Sequence, residues 1–258
     1  MNERSLDQRA VLLGASNLRA SLPLVVNLLR RRCGGPVEVL AACGHGRSYI
    51  AWSRFLGIRH LPGIAGCGLW QALEDRPSRP TLALLTDAGN DLVYGAEVPE
   101  IVRGIAACLE RLAARQARVV LTLLPLARLE RLSPWEVRLA VALLFPGRRA
   151  PWPALLERAR ELDERLRRLG REHGVRIVEP EASWYGIDPI HLRRGRRREV
   201  WERLTGDAGA ADGASPAAGP VQFRIPLLGA ETLRLAGRTL QTSQPAVHLP
   251  DGTTVALY

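Results

Sequence analysis

Five apolar runs that do not alternate with polar residues constrain this chain more than any other feature. They fall at residues 10–13, 37–42, 81–85, 119–124 and 175–178. A strand covered on one face alternates apolar and polar side chains, whereas a continuous run requires cover on both faces. Between the runs lie helical patterns at 18–32, within 48–73, and at 98–115, 135–144 and 153–173. The last is the most regular, since Leu155, Leu156, Ala159, Leu162, Leu166 and Leu169 form one stripe beside arginines and glutamates. Strands alternating with helices predict a parallel sheet between two helical layers, because the crossovers are right-handed and lay helices on the sheet faces. The expected fold class is α/β, a three-layer α/β/α domain around a parallel five-stranded sheet.

The chain has 258 residues, 47% of them apolar, which suits one such domain plus a small appendage. A final helix is expected after His191, ending near Gly206. The composition then turns to alanine, glycine and aspartate, so residues 1–206 are expected to form the α/β domain and 207–220 a flexible linker. Residues 221–258 read as a β-rich extension with Asp251-Gly252 as a hairpin turn. A piece of that length holds no large core alone, so it should pack on the main domain or on a partner.

Composition excludes several classes. The net charge is +10, and every one of the 36 basic residues is arginine, which reads as a compositional habit. Nucleic-acid surfaces interleave clustered charge with aromatics, and no such pattern occurs, so nucleic acid is not an expected partner. The dense cluster Arg193, Arg194, Arg196, Arg197 and Arg198 reads as the solvated first turns of a helix. Cys33, Cys43, Cys67 and Cys108 lack C-x-x-C spacing and neighbouring histidines, so neither a metal site nor a disulfide framework is expected. No stretch reaches the roughly 20 apolar residues that span a bilayer. The polar stretch at residues 1–9 does not lead into a secretory signal, so cytoplasmic residence is the expectation.

The polar residues are informative by their position at strand ends. Loops leaving the carboxyl ends of parallel strands share one rim, and ligands bind there. The first strand runs into Gly14-Ala15-Ser16-Asn17, the second into Gly44-His45-Gly46-Arg47-Ser48, and the third into Asp87-Ala88-Gly89-Asn90-Asp91. The fifth precedes a loop ending in Asp188-Pro189-Ile190-His191. Singly, each has an ordinary explanation: Ser16 as a helix N-cap, Gly-Asn-Asp as a turn, and Asp188 as the start of a helix.

Together they supply what acyl transfer needs. A serine hydroxyl becomes a nucleophile when a base takes its proton, and His191 stands beside a carboxylate after a strand end. Asp188 can accept the other ring N–H and fix the tautomer. The backbone N–H groups of Ser16 and Gly46 and the amide of Asn90 can face an oxyanion, with Gly44 competing for the Gly46 role. In strand order 2-1-3-4-5 the fifth strand lies roughly 14 Å from the first, and the loop at 181–190 can extend about 33 Å, so the triad is within reach.

These four blocks, in this order, resemble the SGNH hydrolases, the superfamily of the GDSL esterases and lipases. The resemblance spans roughly residues 9–205 and rests most firmly on the D-x-x-H block. It implies a flavodoxin-like sheet, no cofactor, and ester hydrolysis by Ser16, His191 and Asp188, with Ser16, Gly46 and Asn90 in the oxyanion hole. Two positions depart from the pattern: Ala15 stands where the family usually has Asp, and Ala88 where it usually has Gly.

The expected function is therefore a serine hydrolase that cleaves a carboxylic ester, an acetyl ester or a thioester through an acyl-enzyme. Its substrate would be a small-molecule, lipid or carbohydrate ester. Ala15, Ala88 and the C-terminal extension motivate a rival, a degenerate fold that binds a ligand or partner without catalysis. A phosphate-binding domain using residues 14–17 is another, but it leaves Asp188 and His191 without a role. Trp184 and Tyr185 either wall an acyl pocket or pack in the core. His45 and Arg47 border the expected oxyanion hole, either in contact with a substrate carboxylate or solvating the loop.

Overall fold

The structure, a computed structural model, describes residues 8–55, 58–144, 152–206 and 219–258. The N-terminal residues 1–7 and most of the expected linker, 207–218, lie outside them.

The main sheet contains the five expected strands: β1 (Gln8–Gly14), β2 (Val37–Cys43), β5 (Thr81–Leu85), β6 (Arg118–Thr122) and β7 (Arg176–Val178). They are parallel and run in the order β2-β1-β5-β6-β7. The continuous apolar runs arise because alternate residues enter different cores. From β1, Val11 and Leu13 face one core with helices α2 (Leu69–Glu74), α4 (Val98–Ala114) and α7 (Trp152–Glu172). Ala10 and Leu12 face the other, against α1 (Ser16–Arg32) and α8 (Arg197–Leu204). The stripe on α7 packs as expected, with Leu162 and Leu166 fully buried. Short helices α3 (Asn90–Val93) and α5 (Leu126–Leu129) follow β5 and β6, and α6 (Pro134–Leu144) precedes α7.

Two features go beyond the five-stranded expectation. The helical pattern within 48–73 holds only at its end, in α2; before it lie β3 (Ser53–Phe55), β4 (Arg59–Leu61) and one 3-10 turn, Ile64–Gly66. Pro62 and Gly63 interrupt the helix, and a side chain at Gly63 would meet the backbone of Ile50 and Ala51 at 2.8 Å. The β-rich extension forms β8 (Thr232–Leu235), β9 (Arg238–Gln241), β10 (Val247–His248) and β11 (Thr254–Leu257).

That extension is built into the domain. β11 pairs parallel with β2, and β10 hydrogen-bonds to β11 across the turn at Asp251-Gly252, widening the sheet to seven strands. β8 and β9 join β3 and β4 in a second, four-stranded sheet. Val255 and Leu257 are buried in the α1 core. The guanidinium of Arg30, 2% exposed, pairs with Asp251 at 2.7 Å. Asn27 exchanges two hydrogen bonds with the backbone of Val221.

Candidate active site

All four polar blocks meet at the carboxyl ends of the parallel strands. The close packing of β1 against the next turn requires glycine at position 14, where a Cβ would collide with the Thr86 hydroxyl and lie 3.2 Å from Leu18. Helix α1 starts immediately after. Ser16 is its first residue and not its N-cap, since that position belongs to Ala15. The Ser16 hydroxyl thus makes no cap and turns to the imidazole Nε2 of His191 at 2.9 Å. The Nδ1 of that ring lies 2.6 Å from Asp188 Oδ2, and Asp188 Oδ1 accepts the backbone N–H groups of Ile190 and His191 at 3.1 and 3.2 Å. The order hydroxyl, imidazole, carboxylate is the relay expected for the three residues.

The electrostatics of the pair are reciprocal. The hydrogen bond to Asp188 raises the pKa of His191 above that of ordinary imidazole, against partial burial. Burial alone would push the Asp188 carboxyl up. The hydrogen bond and charge of His191, with the two backbone N–H groups, outweigh it and hold the carboxyl below its usual value.

Two residues not assigned a role from the sequence lock the relay together. The side-chain amide of Asn17 donates to Asp87 at 2.8 Å and to the Ile190 carbonyl at 2.9 Å, and its oxygen accepts the Leu192 N–H at 2.9 Å. Asn17 therefore ties the turn that carries Ser16 to both sides of His191. Asp87, at a positive φ of 61°, also accepts the Ala15 N–H at 2.8 Å. Ala15 itself is buried and carries no carboxyl, so the carboxylate at this turn comes from the end of β5. An asparagine directly after Ser16 and an aspartate directly before the Ala88-Gly89-Asn90 turn are the signals that mark these positions.

The remaining two blocks are joined by a buried contact. The Ser48 hydroxyl donates to Asp91, which also accepts the Tyr49 N–H at 2.8 Å, and the side chain of Asn90 donates to the Arg47 carbonyl at 3.3 Å. Gly46 adopts a φ of +63°, and a Cβ there would sit 2.5 Å from the Tyr94 hydroxyl, which donates to the Gly46 carbonyl. The Gly46 N–H has no acceptor among the described residues. Gly44 is instead occupied with packing, its Cβ position 2.5 Å from Leu61.

Arg47 does not border solvent. It is fully buried, donating to the Pro62 carbonyl at 3.2 and 3.0 Å and to the Tyr258 carbonyl, so it fastens the loop to the last strand and cannot meet a substrate. Of the aromatic pair, Tyr185 lines the cavity beside Ser16, whereas Trp184 is buried in the core with Arg203 stacked over its ring. That cavity, about 100 Å³, runs from Ser16 and Asn90 between Leu124 and the Trp152, Leu155 and Ala159 face of α7. Among the described residues no cluster of histidine, cysteine or carboxylate groups is arranged to hold a metal ion. The four cysteines are unpaired thiols. No helix among the described residues is long and apolar enough to cross a membrane.

Residues 13–203 match the model of the GDSL-like lipase/acylhydrolase family. The chain belongs to that family. No curated protein is significantly similar in sequence. Among solved structures, the psychrotrophic esterase EstA from Pseudoalteromonas sp., inhibited by monoethylphosphonate, is 12% identical with a TM-score of 0.44, covering 78% of this chain and 95% of its own. A lipolytic G-D-S-L protein from Veillonella parvula DSM 2008 is 14% identical with a TM-score of 0.46, over 78% of this chain and 97% of its own. TesA is 17% identical with a TM-score of 0.45, over the same shares, 78% and 97%. As a GDSL-like family member the protein is an ester-hydrolysing enzyme.

Proposed function

We propose that this GDSL-like enzyme is a serine esterase that works through an acyl-enzyme on Ser16. The observation that carries the reading is the unbroken relay from Ser16 Oγ to His191 at 2.9 Å and from His191 to Asp188 at 2.6 Å. Ser16 Oγ attacks the ester carbonyl while Nε2 of His191 takes its proton. The tetrahedral intermediate carries its negative charge toward the N–H groups of Ser16 and Gly46 and the amide of Asn90. Ser16 opens α1, so its N–H has no intrahelical acceptor, and Gly46 offers a free N–H. As the intermediate collapses, the bond to the leaving oxygen or sulfur breaks and His191 returns the proton to it. Water, deprotonated by the same ring, then releases the acid and restores Ser16.

The acyl half of the substrate occupies the cavity between Leu124 and α7, whose lining carries no basic side chain and whose one carboxylate, Asp87, is taken up by Ala15 and Asn17. This supports an uncharged, apolar acyl group. The intact relay also speaks against a degenerate binding protein, since a chain that had lost catalysis would have no need to keep the tautomer of His191 fixed.

A fluorophosphonate probe should label Ser16, and Ser16→Ala should abolish both labelling and hydrolysis of p-nitrophenyl esters, a loss of about 10⁶-fold in kcat. A folded protein that neither labels nor hydrolyses esters of any chain length overturns the reading.

A further inference from the structure

The surroundings of Ser16 are asymmetric. Three basic residues from separate parts of the chain, none of them in the lining of the apolar cavity, stand near the exits of β1 and β2. Arg19 lies one turn after Ser16, on the same side of α1, and its guanidinium reaches over the rim to the Ile225 carbonyl at 3.3 Å. His45 is in the loop after β2, next to Gly46. Arg59 comes from β4, two residues before Leu61, whose side chain packs on Gly44; Arg59 and Leu61 therefore face the same loop. Arg59 is 7% exposed, and its buried Nε has no hydrogen-bond partner among the described residues.

No ion pair of Arg19 or Arg59 with a carboxylate occurs among the described residues. The nearest carboxylates of the rim are already committed, Asp87 to Ala15 and Asn17, and Asp188 to His191. The basic groups act on one another: after burial, the charges of Arg19, Arg59 and His191 push the His45 imidazole toward its neutral form, and those of Arg19 and Arg47 lower the pKa of Arg59. Gathering like charges in a partly buried place, with one guanidinium nitrogen unpaired, costs stability unless an anion fills the site.

We infer that Arg19, Arg59 and His45 form an anion site on the leaving-group side of Ser16, fitted to an ester or thioester whose alcohol or thiol half carries a phosphate. The inference rests on Ser16 as nucleophile, with the acyl group in the apolar cavity. With that half of the substrate placed, the other half must extend to the side where His191 returns the proton. His45 follows β2, which lies on the other side of β1 from β6 and the cavity's Leu124, and Arg59 faces the same loop as Leu61. A guanidinium is suited to bidentate phosphate contacts, and Arg59 and Arg19 each bring one. A phosphate on the leaving group has two chemical sources, a phosphorylated glycerol ester, which holds it close to the reacting oxygen, and a phosphorylated thiol carrier, which holds it at the end of a long arm, so the two substrate pairs probe a near and a far position of the same anion.

The test compares kcat/KM within two pairs: 1-hexanoylglycerol 3-phosphate against 1-hexanoylglycerol, and S-hexanoyl pantetheine 4′-phosphate against S-hexanoyl pantetheine. In at least one pair the phosphorylated member should be favoured by about tenfold or more, chiefly through KM, and the pair that shows it identifies the source. Arg19→Gln and Arg59→Gln should each bring that ratio close to one, and Arg59→Lys should retain part of it. Because Arg59 is almost buried, the wild-type ratio and half-buried Arg19 decide the matter should Arg59→Gln fail to fold. A wild-type ratio near one in both pairs, with the neutral members hydrolysed and Ser16 labelled, overturns the anion site and leaves the esterase reading standing. Absence of hydrolysis with these substrates and with p-nitrophenyl esters instead removes the Ser16 reading on which it depends.

Discussion

The two walls beside Ser16 differ in chemistry and in origin. One is apolar and comes from the helical side of the domain, with Leu124 after β6 and Trp152, Leu155 and Ala159 on α7. The other is basic and assembled from the start of α1, the loop after β2 and the small sheet, with Arg19, His45 and Arg59. Under the proposed reading, the difference lets Ser16 sort the halves of its substrate by burial and charge without any change in the relay itself. The relay is fixed independently of those wall side chains, by Asn17 and Asp87.

Substitutions in the relay should strike every substrate by the same factor and leave the contrast between the walls intact. Asp188→Asn should cost about 10⁴-fold in kcat, because the imidazole loses its fixed tautomer and its counter-charge. A loss that differs strongly between acetyl and hexanoyl p-nitrophenyl esters would show that Asp188 acts through a wall. Asn17→Ala should lower kcat by about 10²-fold with KM little changed, since it releases the hydrogen bonds to Ile190 and Leu192 that hold His191 over Ser16. A rise in KM alone would assign Asn17 to substrate binding.

A substitution in one wall should do the reverse. Leu155→Trp narrows the cavity and should cost a hexanoyl or octanoyl ester about tenfold more than an acetyl ester in kcat/KM. An unchanged chain-length profile would place the acyl group elsewhere. The smallest effect is in the pH profile. His191 must be neutral to accept the Ser16 proton, and Asp188 raises its pKa, so the acid limb of kcat/KM should have its midpoint above the ordinary imidazole value of about 6.5. In Asp188→Asn that support is gone, and the limb should move to lower pH. A wild-type midpoint below 6.5 would mean that burial dominates His191.

Much of this was legible in the sequence. The five strands and the α7 stripe could be read because burial on both faces of a sheet, or on one face of a helix, imposes a pattern on nearby residues. The exits of β1, β2 and β5 and the D-x-x-H block could be placed on one rim because topology alone orders strand ends. The small sheet could not be read: β3 and β4 are three residues each, too short for a period, and β4 finds its partner β8 only through the register of Arg59 with Leu235 and His60 with Arg234. The sequence there shows instead a helical pattern within 48–73, which the structure keeps only in α2.

Side-chain direction was equally out of reach. Arg47 stands in the same loop as His45, yet it turns inward to the carbonyls of Pro62 and Tyr258. Nothing local distinguishes the two, because the choice depends on which acceptors a distant segment brings close. The sequence by itself determined the layered α/β domain and the identity of the groups that could react, since both follow from local periodicity and strand-end chemistry. Only the tertiary structure decided that Asn17 and Asp87 clamp the relay, that Arg47 is structural, and that β4 brings Arg59 to the loop of His45. Those outcomes depend on hydrogen bonds and desolvation between residues far apart in the chain, and such interactions leave no periodic trace along it.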